Sequence, residues 1–237
     1  VYTLISFLEQ RFGVWSAMGG TGSIVKGMTG LIEGQGGKIE CNAEVEEILV
    51  DQGAVRGVRL ADGRTLHSDL VVSNADAAWT YRHLIKAEHR KRWTDRKIDR
   101  SHFSNGLFVW YFGTEGKYPD VPHHSVILGP RYKGLLDDIF KRKVLADDFS
   151  LYLHRPTETD PSLAPEGCDT FYALAPVPHL DADVDWPTYA ETFKERICQR
   201  LEETMLPGLR ERIVTSRLLT PQDFHDRLNS VKGAAFG

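Results

Sequence analysis

Cysteine is scarce in this sequence, and its three copies are far apart. Cys41, Cys168 and Cys198 are odd in number and have no C-x-x-C spacing, which argues against a disulfide framework and predicts reduced thiols in a cytosolic protein. Long apolar runs are also missing, because no stretch approaches the roughly 18 residues needed to span a bilayer. The 29 Lys and Arg are dispersed among 33 Asp and Glu, so nucleic-acid binding is not expected.

Motifs for metal-dependent and nucleophilic catalysis are absent as well. Nine histidines occur, but no H-x-x-x-H or H-E-x-x-H is present. His123 and His124 are adjacent, and we expect adjacent strand residues to face opposite ways, so that they would not share one ion. G-x-S-x-G is missing too. The sequence therefore predicts neither a metal site nor a hydrolytic nucleophile.

The dinucleotide-binding turn G-x-G-x-x-G is also absent. The nearest string, Gly19-Gly20-Thr21-Gly22, has the wrong spacing and follows no predicted strand. The chain starts at Val1, without an initiator Met, in what the spacing predicts to be the middle of a helix. This beginning is typical of an internal fragment.

A series of short strands and turns organises residues 36–76. Asp62-Gly63 supplies the positive φ of a tight hairpin turn. The segment ends at Asp76, which is predicted to cap the next helix. Its apolar groups predict strands around 39–41, 45–50, 55–60 and 66–72, and Leu70-Val71-Val72 is the part expected to be buried on both faces.

The rest of the chain mixes helices with apolar strands. Helical spacing predicts helices over 2–12, 24–32, 77–85, 132–143 and 186–205, and Thr220-Pro221-Gln222-Asp223 predicts the capped start of a last helix. Strands are predicted over 107–112, 123–128, 149–154, 170–175 and 213–220.

These strings follow the pattern of one known family. The order G-G, strand, V-x-x-I, G-V-x-L-x-D-G and D-x-V-V-S-N-A-D within residues 36–76 resembles the middle of the FAD-dependent carotenoid desaturases, most closely the lycopene-forming bacterial phytoene desaturases. The resemblance covers essentially all 237 residues. It continues through S-N-G-L-F-V-W-Y-F-G (104–113), F-S-L-Y-L-H-R-P (149–156), S-L-A-P-E-G-C (162–168) and L-A-P-V-P-H-L (174–180).

The resemblance implies FAD as cofactor. In the family, the backbone of the valine in V-x-x-I, here Val45, contacts the adenine edge. Asn74 and Ala75 are interpreted as a backbone contact near the cofactor, although an Asn turn before a helix is a slightly better alternative. The family has its dinucleotide fingerprint and a second flavin-contacting segment elsewhere, so these residues are expected to contribute to a flavin site without completing it.

Gly19 and Gly20 are the second predicted cofactor contact. The resemblance places them near the isoalloxazine, where a residue without Cβ lets the backbone approach closely. The family usually has Pro-x-Gly-Gly here, but Ala17 and Met18 stand at Pro-x in this sequence. A plain turn at the start of a helix is an equal alternative.

The aromatic strand over 107–112 is the predicted substrate floor. Period-two alternation puts Phe108, Trp110 and Phe112 on one face. The resemblance implies that this sheet lines a tunnel for phytoene or a similar hydrophobic polyene, while an ordinary core is the alternative. No catalytic residue is assigned. The other predicted substrate contacts are Tyr152, Pro176 and Pro178.

The predicted fold is α/β (α+β), with part of a Rossmann-like FAD-binding domain joined to a substrate domain whose mixed β-sheet is flanked by helices. The expected divisions are the end of a helical segment (1–13), an incomplete part of the FAD-binding domain (14–86), a linker (87–102), the substrate-binding domain (103–228) and a return towards the FAD domain (229–237).

Residues 89–100 are strongly basic, with Trp93 and Ile98 interleaved. One interpretation is a patch for anionic lipid headgroups, which would make the protein cytoplasmic and peripherally membrane-associated. The favoured alternative is a solvated connector.

The resemblance implies an enzyme that dehydrogenates phytoene to lycopene. The alternatives are a related desaturase or oxidase acting on another polyene, and a non-catalytic module that binds an apolar ligand.

Overall fold

The first part of the chain forms two helices with few buried residues. The computed structural model describes residues 2–236, and helices α1 (Tyr2–Phe12) and α2 (Thr21–Gly34) lie where helical spacing predicted them. Helix α2 has no buried residue. Leucine, isoleucine and methionine side chains along both helices are exposed. An apolar surface of this kind is typical of an interface rather than of a solvated face.

A small antiparallel sheet follows the two helices. It contains β1 (Val45–Asp51), β2 (Ala54–Leu60) and β3 (Thr65–His67) in that order. The predicted turn at Asp62-Gly63 is confirmed, because Gly63 has a φ of 87° and the Leu60 N–H donates to the Arg64 carbonyl at 2.9 Å.

One strand predicted beside this sheet is wrong, and another is shorter than predicted. Residues 39–41 belong to neither sheet of the described chain, and the strand predicted over 66–72 ends at His67, so that 70–72 are not part of it. A strand needs a neighbour for its backbone hydrogen bonds, and residues 2–236 place no strand beside either segment. Leu70 and Val72 are accordingly 73% and 85% exposed rather than buried.

Short helical turns connect the two sheets. The Asp76 side chain accepts from the Trp79 N–H at 2.8 Å and caps α3 (Ala77–Trp79), as predicted. A π-helical turn continues it over Thr80–Leu84, followed by a 3₁₀ turn (Ala87–His89) and α4 (Asp95–Asp99).

The second sheet has five strands in the order β5-β6-β7-β4-β8, and all four neighbouring pairs are antiparallel. It was predicted as mixed, but the described residues contain no parallel pair. Its strands are β4 (Gly106–Glu115), β5 (His124–Ile127), β6 (Leu151–His154), β7 (Cys168–Val177) and β8 (Ile213–Leu219).

Four further helices accompany this sheet. None of the helices in residues 2–236 is long and apolar enough to cross a membrane. They are α5 (Tyr132–Asp137, continued by a π-helical turn over Asp138–Arg142), α6 (Trp186–Thr204), α7 (Leu209–Arg212) and α8 (Pro221–Leu228).

The main hydrophobic core lies between the five-stranded sheet and α6. Phe108 packs edge-to-face on Phe193 of α6, with ring centroids 4.9 Å apart. Apolar residues of α6 at steps of four form the helical side of this core, as their spacing predicted. The buried members of that stripe are Phe193, Ile197 and Leu201. One face of the sheet is therefore covered, and the other is free to form a site.

Candidate functional site

The open face of the five-stranded sheet forms the floor of a cavity of about 890 Å³. Leu107, Val109 and Tyr111 alternate with the core residues of β4, so their side chains point to this face. Tyr172 and Leu174 of β7 lie beside them in the adjacent strand. The floor is mostly apolar, which suits a hydrophobic ligand.

The three aromatic residues of β4 do share one face of the strand, as predicted, but that face is the one covered by α6. Phe108, Trp110 and Phe112 are 0%, 1% and 2% exposed and belong to the core under α6. The Trp110 indole N–H donates to the Ser216 hydroxyl at 2.8 Å, which satisfies its one polar atom. None of the three lines the cavity, and a substrate contact for them stays a prediction.

The other predicted substrate residues have different positions. Tyr152 and Pro176 are half-buried on the open face, opposite Leu174 and Leu107 respectively in the adjacent strands. Pro178 is buried just beyond the end of β7. The strand ends there as predicted, since proline cannot donate to the ladder.

One wall of the cavity is the segment before α2. Gly20 lines the cavity, and both Gly19 and Gly20 have positive φ, 81° and 74°, a conformation that favours glycine. Asp160, 4% exposed, accepts from the Gly19 N–H at 2.5 Å. The Ser162 hydroxyl and the Gly19 N–H lower the pKa of Asp160. This buried carboxylate fixes the glycine turn against the sheet.

A cluster of histidines and tyrosines closes one end of the cavity. His123 Nε2 and His154 Nε2 are 2.7 Å apart, and His124 Nδ1 lies 2.5 Å from the Tyr152 hydroxyl. Burial, with the neighbouring imidazoles, lowers the pKa of His154 to about 4. Burial and the hydroxyl of Tyr152 raise the pKa of Tyr172. The rings of His154 and Tyr172 are therefore uncharged at neutral pH and compatible with an apolar ligand.

The expectation that His123 and His124 face opposite ways is wrong. Strand β5 begins at His124, so His123 precedes it and does not follow strand alternation. The two rings stack with centroids 4.3 Å apart. Together with His154, they bring three ring nitrogens within 4.8 Å of one another.

The predicted adenine-side residues lie away from this cavity. Val45 starts β1, an edge strand of the small sheet, so half of its strand's backbone groups point away from β2. Asn74 and Ala75 are exposed in the coil before α3 and do not end a strand. The structure does not bring these three residues together with Gly19 and Gly20 around the cavity.

The basic segment makes several ion pairs of its own. Arg90 is 2.7 Å from Asp95, and Arg82 is 2.5 Å from Asp99. The Lys97 ammonium lies over the Trp93 ring at 4.3 Å. These contacts favour a folded connector over a patch that presents all of its charges to lipid.

Sequence reasoning missed most of the cavity. It assigned the floor to the more aromatic face of β4, whereas the alternating partners Leu107 and Val109 line the cavity. It also missed Asp160 and the histidine cluster, because these contacts join residues far apart in the chain. The only sequence signal for the face was period-two alternation in β7, where Tyr172 and Leu174 alternate with small alanines.

The sequence of this chain is similar to one protein family and to several curated proteins. Residues 1–234 match the family described as flavin containing amine oxidoreductase. The chain is 52% identical over 241 residues to the neurosporene-forming phytoene desaturase of Cereibacter sphaeroides, covering 100% of this chain and 46% of the relative. It is 49% identical to the lycopene-forming phytoene desaturase of Pseudescherichia vulneris, and the match covers 100% of this chain and 48% of the relative.

A more distant relative has another product. The zeta-carotene-forming phytoene desaturase of Myxococcus xanthus is 37% identical, with 100% of this chain and 45% of the relative covered. The chain thus spans about half the length of the curated relatives it matches.

Solved structures share the fold. An oxidoreductase from Methanosarcina mazei superposes with a TM-score of 0.61 at 21% identity, covering 90% of this chain and 45% of that one. A protein from Pyrococcus furiosus gives a TM-score of 0.61 at 19% identity, and the match covers 85% of this chain and 43% of that one. At these identities the likeness shows the fold alone.

Proposed function

From the premise that this chain belongs to the flavin containing amine oxidoreductase family, we propose that it forms the substrate-binding half of an FAD-dependent carotenoid desaturase. The resemblance to carotenoid desaturases is confirmed by relatives that share 37–52% identity and are named phytoene desaturases. The observation that carries the proposal is the apolar cavity of about 890 Å³ between the open sheet face and the Gly19–Gly20 turn.

The proposed substrate is phytoene or a similar hydrocarbon polyene. Such a molecule offers no hydrogen-bonding group, so it is held by apolar contact and exclusion of water. Leu107, Val109 and Leu174 supply that contact. The uncharged rings of His154 and Tyr172 at the floor and end add aromatic surface without adding charge.

The residues present fit part of a flavin site. Gly20 has a φ of 74°, which favours glycine, and without a Cβ its backbone can be approached closely. We assign Gly19 and Gly20 to the isoalloxazine side, and the free edge of β1 at Val45 to the adenine side. Bound FAD would supply the acceptor for the hydride that leaves one carbon of the polyene, while a proton leaves the neighbouring carbon. The chain's own residues position the polyene and exclude water.

The domain organisation follows the same proposal. Residues 14–86, which contain the small sheet, belong to the FAD-binding domain, and residues 103–228, which contain the five-stranded sheet, bind substrate. Residues 87–102 link them. Contact with a membrane surface, from which a polyene would be taken up, is part of the proposal as well.

Lycopene is our proposed product, with neurosporene as the second candidate. The second candidate is favoured by the 52% identity to a neurosporene-forming enzyme, against 49% for a lycopene-forming one. The products differ in the number of desaturations and separate by chromatography. Expressing the complete protein in cells that accumulate phytoene and identifying the coloured product decides between the two.

Leu174→Asp in the complete protein tests the cavity. A carboxylate facing an apolar ligand has no partner and costs several kcal/mol of binding free energy. We expect product to fall at least tenfold while bound flavin per protein stays unchanged. Product and flavin are measured on the same preparation.

Val214→Asp is the matched control. Val214 lies in β8, is 64% exposed and does not line the cavity. This variant should keep both product and flavin. Normal product from Leu174→Asp would contradict the proposed substrate site, and a joint loss of flavin and product would assign Leu174 to folding instead.

A further inference from the structure

The end of the cavity contains three histidines supplied by two neighbouring strands. His124 and His154 are opposite one another in the β5–β6 ladder, and His123 precedes β5. One ring nitrogen from each lies within 4.8 Å of the other two. Three imidazoles at such separations are the donor set of many zinc sites.

Two of the three rings, those of His123 and His124, already use Nδ1 for a hydrogen bond, whereas Nδ1 of His154 has no hydrogen-bond partner among residues 2–236. His123 Nδ1 lies 2.5 Å from the Thr159 hydroxyl, and His124 Nδ1 lies 2.5 Å from the Tyr152 hydroxyl. These contacts leave Nε2 of each ring available. In metal sites, a ligating histidine almost always uses its other nitrogen for such a hydrogen bond, which fixes the orientation of the ring.

His154 offers Nε2 as well. This atom faces His123 Nε2 at 2.7 Å, so one of the two must lack a proton. A metal ion would replace that contact. Ligands of a tetrahedral zinc are about 3.3 Å apart when the Zn–N bonds are about 2.0–2.1 Å long. The rings of His123 and His154 would therefore move slightly apart, and His124, whose side chain is exposed, would adjust its position to complete the set.

Arg155 is a cation beside this cluster. It follows His154, just beyond the end of β6. Its guanidinium pairs with Glu158 and lies 3.8 Å from Asp169. These two carboxylates offset the positive charge of Arg155 beside the cluster.

We propose that His123, His124 and His154 bind one divalent first-row transition-metal ion through their Nε2 atoms. All three histidines line the cavity. The proposal does not depend on the polyene substrate, because it rests only on the donor set and its hydrogen bonds.

Binding of Zn²⁺ to the complete metal-free protein tests this site. We expect one equivalent of Zn²⁺ per chain after dialysis. Co²⁺ is the second probe and should give the visible absorption bands of a tetrahedral ion. His123→Gln and His154→Gln should each lower the affinity for Zn²⁺ at least tenfold.

Two milder variants keep the test valid if a histidine variant fails to fold. Thr159→Val and Tyr152→Phe keep all three ligands and remove only the hydrogen bonds to them, which we expect to weaken binding about tenfold. His67→Gln is the matched control, because His67 is an exposed histidine in β3 and should not affect binding. Binding of less than half an equivalent of Zn²⁺ per chain would overturn the proposal. The proposal would also be overturned if the parent had the same affinity for Zn²⁺ as the Thr159 and Tyr152 variants and the folded histidine variants.

Discussion

Adjacent residues of β4 have opposite surroundings. Trp110 is 1% exposed in the core, whereas its neighbour Tyr111 is 42% exposed on the cavity side. Strand geometry sends successive side chains to opposite faces, so the alternation is local. Which face is covered depends on α6. Trp110 should therefore affect folding, and residues of the open face should affect binding.

Trp110→Ala is predicted to destabilise the protein by about 3–5 kcal/mol, because it removes a buried indole and leaves a cavity. Denaturant unfolding of parent and variant measures the change. Trp15→Ala is the control with the same chemistry, since Trp15 is 87% exposed and should change stability by no more than about 0.5 kcal/mol. Equal effects of the two changes would refute this assignment of the core.

Asp181 joins two lysines from distant parts of the chain. Its carboxylate lies 2.8 Å from the ammonium groups of both Lys143 and Lys232. Burial raises the pKa of Asp181, but the hydrogen bonds from the two lysines outweigh it and lower the pKa to about 2. The pair of contacts holds the segment after α8 to the end of the helical turn that follows α5.

The lowered pKa of Asp181 predicts a pH dependence of stability. The pKa of Asp181 is lower in the folded protein than its unfolded value of about 3.9, so the ionised carboxylate stabilises the folded state at pH values above about 3.9. This contribution is lost as the pH falls through about 2. After solvent screening is discounted, Asp181→Asn should cost about 1 kcal/mol at pH 7 and almost nothing near pH 2. Urea unfolding at both pH values measures this. The exposed Asp183→Asn is the control, and a cost that does not change with pH would count against the prediction.

At the level of elements, α8 connects the sheet to the cavity. The Thr220 side chain accepts from the Asp223 N–H at 3.4 Å, and Asp223 accepts from the Thr220 N–H at 2.8 Å. This reciprocal capping box is the one that Thr220-Pro221-Gln222-Asp223 predicted. It fixes the start of the helix whose Phe224 lines the cavity.

Thr220→Ala is predicted to destabilise the protein by about 1 kcal/mol through loss of the N-cap. In a chain of this length, that corresponds to a fall in Tm of about 2–4 °C. Thermal unfolding measures the shift. Thr215→Ala, at an exposed position in β8, should leave Tm nearly unchanged, and a similar fall in both variants would argue against a capping role.

At the scale of the whole molecule, the two halves of the chain are packed differently. The main buried cluster belongs to residues after 107, whereas α1 and α2 leave large apolar side chains in contact with solvent. Exposed apolar surface of this extent is typical of interfaces. The chain also spans about half the length of the relatives it matches.

The 237 residues on their own are predicted not to retain FAD. They provide the glycine turn and the edge of β1, but no G-x-G-x-x-G turn for the pyrophosphate. Absorbance of the flavin after desalting measures retention. The complete protein serves as the control and should keep its flavin, while stoichiometric flavin on the 237-residue chain would disprove the prediction.

Local patterns in the sequence determined much of this protein. The helices at 2–12 and 186–205, the hairpin turn at Gly63 and the capping box at Thr220 were all predictable. Each depends on residues within a few positions of one another. The family was equally readable, because its motifs are runs of contiguous residues.

Tertiary structure decided the rest. Residues 39–41 did not form a strand, and the strand predicted over 66–72 ended at His67, since a strand exists only beside a hydrogen-bonded partner. The face of β4 that binds rather than packs was set by where α6 lies, and alternation alone is symmetric between the two faces. The meeting of His123 with His154, and of Asp160 with Gly19, joins residues 31 and 141 positions apart. No local pattern contains such contacts, because their free energy is realised only when the chain has folded.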